Sequence, residues 1–88
     1  MKSVWKYSLF MDRITELELP VGAKVLHVAE QGEGPQMWVL LDNNPEAPKE
    51  PRHFIVRGTG HNVDEDLTWV GTWQSPPFVW HLFEIPIQ

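Results

Sequence analysis

The sequence predicts an all-β protein, a small single-domain β-sandwich or barrel of about six to seven mostly antiparallel strands spanning residues 1–88. Three observations predict it. Apolar and polar residues alternate with a period of two, the alternating runs are rich in β-branched and aromatic side chains, and gaps containing Gly or Pro separate them. No window of a dozen residues keeps an apolar stripe at helical spacing, so little of the chain is left for helix. Sandwich and barrel both remain open at this level.

Strands are expected at Val4–Leu9, Ile14–Leu19, Ala23–Glu30, Gln36–Leu41, Arg52–Arg57, Leu67–Gln74 and Phe78–Ile85. Leu19-Pro20-Val21-Gly22 reads as the turn between the second and third, because Pro fixes φ and Gly permits positive φ. Gln31-Gly32-Glu33-Gly34-Pro35 suits a hairpin joining the third strand to the fourth. The segment Asp42–Pro51 carries Pro45, Pro48 and Pro51, and is expected to stay out of any ladder as a long exposed loop, either functional or a plain linker. In the last strand Phe78, Trp80 and Leu82 alternate with Val79, His81 and Phe83, so both faces are apolar. Such a strand is central, or one face meets another subunit.

Length and composition bound the function. A chain of 88 residues supports one core, since only roughly 60 to 65% of its unfolded surface can be buried. A hydrophobic fraction of 42% argues against disorder. The absence of Cys removes disulfides and thiolate metal sites, and a small domain without staples often recruits a second copy, so a homo-oligomer is expected. A net charge of -5 repels a phosphate backbone and disfavours general nucleic-acid binding. No apolar run has signal-peptide or membrane-span length, which points to a cytoplasmic setting.

The segments Leu19-Pro20-Val21-Gly22-Ala23, Trp38 leading into Leu41-Asp42, Arg52-His53-Phe54-Ile55-Val56-Arg57-Gly58-Thr59-Gly60-His61, Val70-Gly71-Thr72 and Val79-Trp80-His81-Leu82-Phe83-Glu84 together cover nearly the whole chain. Their combination resembles a family of small, uncharacterised proteins common in bacteriophages and prophages. That resemblance implies a phage origin and the cytoplasm of the infected bacterial host, and it brings no activity with it. Two loops depart from the family pattern: Asn43-Asn44-Pro45 is longer than the family's Asp-Pro turn, and Ser75-Pro76-Pro77 replaces a more variable, often glycine-containing hairpin.

Candidate ligand-binding residues are Arg52, Arg57, Gly58, Thr59, Gly60, His61, Trp69 and Trp73. Glycines flanking Thr59 would let backbone N–H groups converge on an anion, with Arg57, Arg52, Thr59 and His61 adding charge or hydrogen bonds. The plain alternative is a tight turn whose glycines only permit positive φ. Trp69 and Trp73 share a parity with Gly71 between them, which suits equally a one-sided platform for a flat ring or a partner and plain core packing, while Trp38 and Trp80 read as core. His27, His53, His61 and His81 match no metal-ligand spacing, Asp64-Glu65-Asp66 reads as a solvated acidic turn, and no nucleophile signature is present. The expectation is therefore a non-enzymatic phage accessory protein, without cofactor or metal, that sequesters a small anionic, nucleotide-like ligand of host defence. An acidic protein-binding inhibitor of a host defence or nucleic-acid enzyme is the alternative, followed by a virion structural or metabolic accessory role.

Overall fold

Extended backbone appears where the sequence alternates. The computed structural model describes residues 1–86 and contains seven strands, β1 (Lys2–Ser8), β2 (Thr15–Pro20), β3 (Lys24–Gln31), β4 (Gly34–Asp42), β5 (Lys49–Gly58), β6 (Thr68–Ser75) and β7 (Phe78–Ile85), with no helix among the described residues. They form two antiparallel sheets, one in the order β1-β4-β3 and one in the order β2-β5-β7-β6. The architecture is thus sandwich-like. As expected, β3 and β4 form a hairpin that closes at Gln31 opposite Gly34, and β7 is an interior strand between β5 and β6.

The proline-rich loop is shorter than expected. Asp42 ends β4, and β5 begins at Lys49, so Lys49, Glu50 and Pro51 belong to a ladder with β2. The hydrogen-bond phase explains how prolines are tolerated there. Val21 N–H donates to Pro48 O at 2.9 Å, which makes the pairs of odd-numbered β2 residues the hydrogen-bonded ones. Glu18 opposite Pro51 and Pro20 opposite Lys49 fall between them, so neither ring is asked for an N–H towards its partner. On its other side β5 meets β7 only from His53 onwards among the described residues.

The core lies between the sheets. Met37, Val39 and Leu41 of β4 face Phe54 and Val56 of β5 and Leu82 of β7, with Leu9, Leu19, Ala23, Val28 and Trp73 completing the cluster. Two bulges determine which side chains reach it. In β3 the register shifts between Val25 and His27, and in β6 between Trp69 and Gly71. An extra residue reverses the parity of everything beyond it. Trp69 and Trp73 consequently do not share a face. Trp73 pairs with Trp80 on the inner side and is 5% exposed, whereas Trp69 pairs with Phe83 on the outer side and is 60% exposed. Trp38 also differs from expectation: β4 alternates with Met37, Val39 and Leu41 buried, which places Trp38 on the outer face beside His27, with ring centroids 5.7 Å apart. Trp80, by contrast, packs against the core.

The sheets approach each other most closely along β3 and β6. There Gly71 lies against Val28, and a Cβ added to Gly71 would stand 2.5 Å from Val28 Cγ1. On the other side of the molecule β1 and β2 are the outermost strands of their sheets. A cleft of about 340 Å³ separates them, lined by Trp5, Tyr7, Glu18 and Pro20 with the Leu41–Pro45 segment and Lys49.

Candidate functional site

The turn leaving β5 is built from its own residues. Gly58 N–H donates to His61 Nδ1 at 2.9 Å and His61 N–H donates to Gly58 O at 3.0 Å. Thr59 N–H donates to Val79 O at 3.2 Å. Gly60 sits at φ +92°, a conformation that side chains with a Cβ rarely adopt. Gly58 is needed for a different reason, since a Cβ there would lie 2.9 Å from both His61 Cε1 and Trp80 Cζ3. The amides of Gly58, Thr59 and His61 are all engaged internally, so they do not converge on an anion. The tight-turn alternative describes this backbone.

What the turn presents is side chains. Because Nδ1 of His61 accepts from Gly58, a neutral ring carries its proton on Nε2, on the opposite edge. His61 and Trp80 both line two adjoining clefts. One, of about 400 Å³, is walled by Gly58, Thr59, Pro77, Phe78 and Val79, and its Phe78 and Trp80 rings lie 5.6 Å apart at 33°. The other, of about 200 Å³, holds Asp12, Arg13 and Arg57 beside Met11, Ile55 and Val56. The Arg13 guanidinium rests 3.9 Å over the Phe10 ring.

Two of the expected site residues lie elsewhere. Arg52 faces the interior near the far end of β5, about 20 Å along the strand from Gly58 at the usual rise per residue. Its Nε donates to Glu84 Oε2 at 2.6 Å, Nη2 to Glu84 Oε1 at 2.7 Å, and Nη1 to Ala23 O at 2.6 Å. The hydrogen bonds to Glu84 raise its pKa above the ordinary value against the desolvation that lowers it. This is a structural fork between β5 and β7 in which each of the three guanidinium nitrogens donates a hydrogen bond. Trp73 likewise belongs to the core, its Nε1–H donating to Glu30 Oε1 at 2.9 Å. Arg57, Thr59 and Trp69 do share a surface, the outer face of the four-stranded sheet.

On that face a hydrogen-bonded chain passes through His81, which the alternation of the last strand placed on the same side as Val79 and Phe83. Trp69 Nε1–H donates to Thr72 Oγ1 at 3.0 Å, and Thr72 Oγ1 lies 3.0 Å from His81 Nδ1. His81 Nε2 lies 2.9 Å from Thr59 Oγ1, which donates to Val79 O at 3.3 Å. An indole only donates and a carbonyl only accepts, so with a neutral ring the remaining protons follow: Thr72 donates to Nδ1, and Nε2–H donates to Thr59. His81, Thr72, Arg13 and Phe78 were not singled out by sequence. The alternation of His81 and Phe78 with opposite-facing neighbours in β7 was the available signal.

The other candidates stay apart. His53 lies 3.5 Å from Glu16 on the outer face, and Asp64, Glu65 and Asp66 are exposed in the loop before β6. Among the described residues, no group of three or more His, Asp or Glu side chains is arranged to hold a metal ion. Among the described residues no helix is long and apolar enough to cross a membrane. No curated protein and no solved structure matches the chain. A family model does match, over residues 1–88, and the chain belongs to the family described as Domain of unknown function (DUF7352).

Proposed function

We propose that this chain is a non-enzymatic binding module for a small anionic, ring-bearing molecule of the nucleotide kind. The observation that carries the reading is the pair of clefts sharing His61 and Trp80, one aromatic and one holding two guanidinium groups. A flat ring fits against Phe78 and Trp80, while Arg57 and Arg13 meet the anionic end and His61 Nε2–H donates between them. The larger cleft, about 400 Å³, falls in the range of small-ligand sites. Asp12 in the smaller cleft offsets part of the positive charge of Arg13 and Arg57 and so disfavours a highly charged anion. In the phage setting that the resemblance implies, such a module sequesters a host signalling nucleotide in the bacterial cytoplasm.

Isothermal titration with a panel of mononucleotides and of cyclic and linear dinucleotides tests this. Binding of at least one member is expected. Arg57→Ala should weaken that binding about tenfold or more, as a lost charged hydrogen bond would, and Phe78→Ala should weaken it by a similar factor. Silence across the panel, together with no small molecule released from protein purified from its host, ends the proposal. A second reading, an acidic inhibitor of a host protein, is favoured by one feature, the 60% exposure of Trp69 on an outer face that also carries Ile55 and Phe83. A stoichiometric host protein retained by the native chain and released by Trp69→Ala would support it over the first.

A further inference from the structure

We infer that a second copy of this chain docks by strand addition, β1 of each copy on β2 of the other. The argument is independent of the small-ligand reading. It begins with the hydrogen-bond phase of the β1 and β2 edges. Leu9 N–H donates to Pro35 O and Asn43 N–H to Met1 O, both at 3.0 Å, so odd-numbered β1 residues bond to β4 and the even-numbered ones turn their backbone outwards. By the phase established for β2, Glu16 and Glu18 turn theirs outwards as well. The residues whose amides and carbonyls face the open edge are therefore Lys2, Val4, Lys6 and Ser8 on one strand and Glu16 and Glu18 on the other.

Charge selects the pairing. β1 carries Lys2 and Lys6 with no acidic residue, and β2 carries Glu16 and Glu18 with no basic one. Laying β1 on β1 of another copy opposes lysines, and β2 on β2 opposes glutamates; β1 on β2 attracts. Antiparallel pairing with Lys6 opposite Glu16 keeps the outward amides of Val4, Lys6, Glu16 and Glu18 in phase, while Lys2 falls opposite Pro20, which has no N–H to give. It sets Glu18 opposite Val4 and diagonal to Lys2 and Lys6, within reach of long side chains. Among the described residues of the single subunit Lys6 has only a neutral partner, Gln31 Oε1 at 2.7 Å.

Apolar surface points to the same side. Trp5 is 56% exposed although it lies on the inner face of its sheet, and it lines the cleft together with Glu18 and Pro20 of β2. A strand added to β2 would border that cleft. The subunit is a thin slab of 42 × 32 × 17 Å with 5965 Å² of accessible surface, against about 5,300 Å² expected for a compact chain of this mass. A reciprocal pair covers the β1 and β2 edges of each copy and closes on itself, with β3 and β6 left as the outer strands.

Charge reversal tests the pairing. The wild-type chain is expected to have twice its 10.2 kDa chain mass by light scattering after size exclusion. Lys2→Glu/Lys6→Glu and, separately, Glu16→Lys/Glu18→Lys should each run as monomers while keeping the wild-type circular dichroism spectrum, because all four side chains are exposed. Mixing the two variants should restore the dimer mass, since each then offers the other a complementary edge. Hydrogen exchange supplies a readout without substitution, with the amides of Val4, Lys6, Glu16 and Glu18 slowing as concentration rises. A monomeric wild type at every concentration, variants that keep the dimer mass, or a mixture that stays monomeric would each overturn the inference. Titration of nucleotides into the monomeric variants separates this outcome from the fate of the ligand reading.

Discussion

Replacing Gly71 with Ala should destabilise the fold through one contact, and a second substitution should undo much of the damage. The added methyl would stand 2.5 Å from Val28 Cγ1, well inside the usual carbon–carbon separation of about 3.5–4.0 Å. Val28 is only 3% exposed and cannot rotate that methyl into solvent. The overlap sits where β3 meets β6, so relief requires the sheets to separate or Val28 to leave its rotamer. Overpacking of this kind costs about 1–3 kcal/mol, and about 2 kcal/mol in a domain of this size lowers Tm by roughly 8–16 °C. Val28→Ala alone should cost about 2 kcal/mol through lost burial and the cavity left behind. Combined, the methyl at position 71 enters that cavity, and the double variant should be more stable than the sum of the singles by at least about 1 kcal/mol. Urea denaturation of the four proteins, with equal slopes, measures this. Additive effects, or a Gly71→Ala midpoint equal to wild type, would refute the close-contact argument.

Three further outcomes can be checked by the same denaturation assay. Arg52→Ala leaves the Glu84 carboxylate and Ala23 carbonyl without their partner; because the two side chains are 14% and 22% exposed, the loss should be about 2–4 kcal/mol, somewhat below that of a fully buried pair. Since the folded-state pKa of Arg52 is raised, the stability its charge contributes is fully present below the unfolded-state value and is lost only above the folded one. The difference between wild type and Arg52→Ala should therefore stay constant from about pH 7 to about pH 10. Gly60→Ala should cost about 1–2 kcal/mol from backbone strain alone, because nothing lies within 4 Å of the added Cβ, and Gly60→Asn should recover part of it. Thr15→Val removes the acceptor of the Phe10 N–H at 2.8 Å from a residue 4% exposed, and should cost about 1–2 kcal/mol.

Local chemistry made the strands legible. Alternation located every one of them, and Gly32 with Gly34 located the β3–β4 hairpin, because both signals are carried by adjacent residues. Parity beyond a bulge was not legible. Val70 interrupts β6 with only Gly71 beside it as a local sign, and a lone glycine does not fix where the register shifts, so Trp69 and Trp73 look alike in sequence and end on opposite faces. Pro51 reads as a ladder breaker until its position in the hydrogen-bond phase is known, and that phase depends on β2, more than thirty residues earlier. The role of Arg52 was hidden for a similar reason, since its partner Glu84 is 32 positions away. Of the candidate site, the Gly58–His61 turn was found as a unit; the clefts on either side of Trp80 required the tertiary placement of residues 11–13 and 77–80.

The chain from Trp69 to Val79 acts as a grammar for substitution on the outer sheet face. Its two ends have fixed polarity, so whatever occupies position 81 must present a lone pair towards β6 and a hydrogen towards the end of β5. An asparagine carboxamide can meet both demands. Leucine fills comparable space and meets neither, and a lysine reverses the sense of one junction. Drift at this position is thereby narrowed by the direction of a handful of protons, and a change at Thr59 or Thr72 would rewrite which replacements the histidine tolerates.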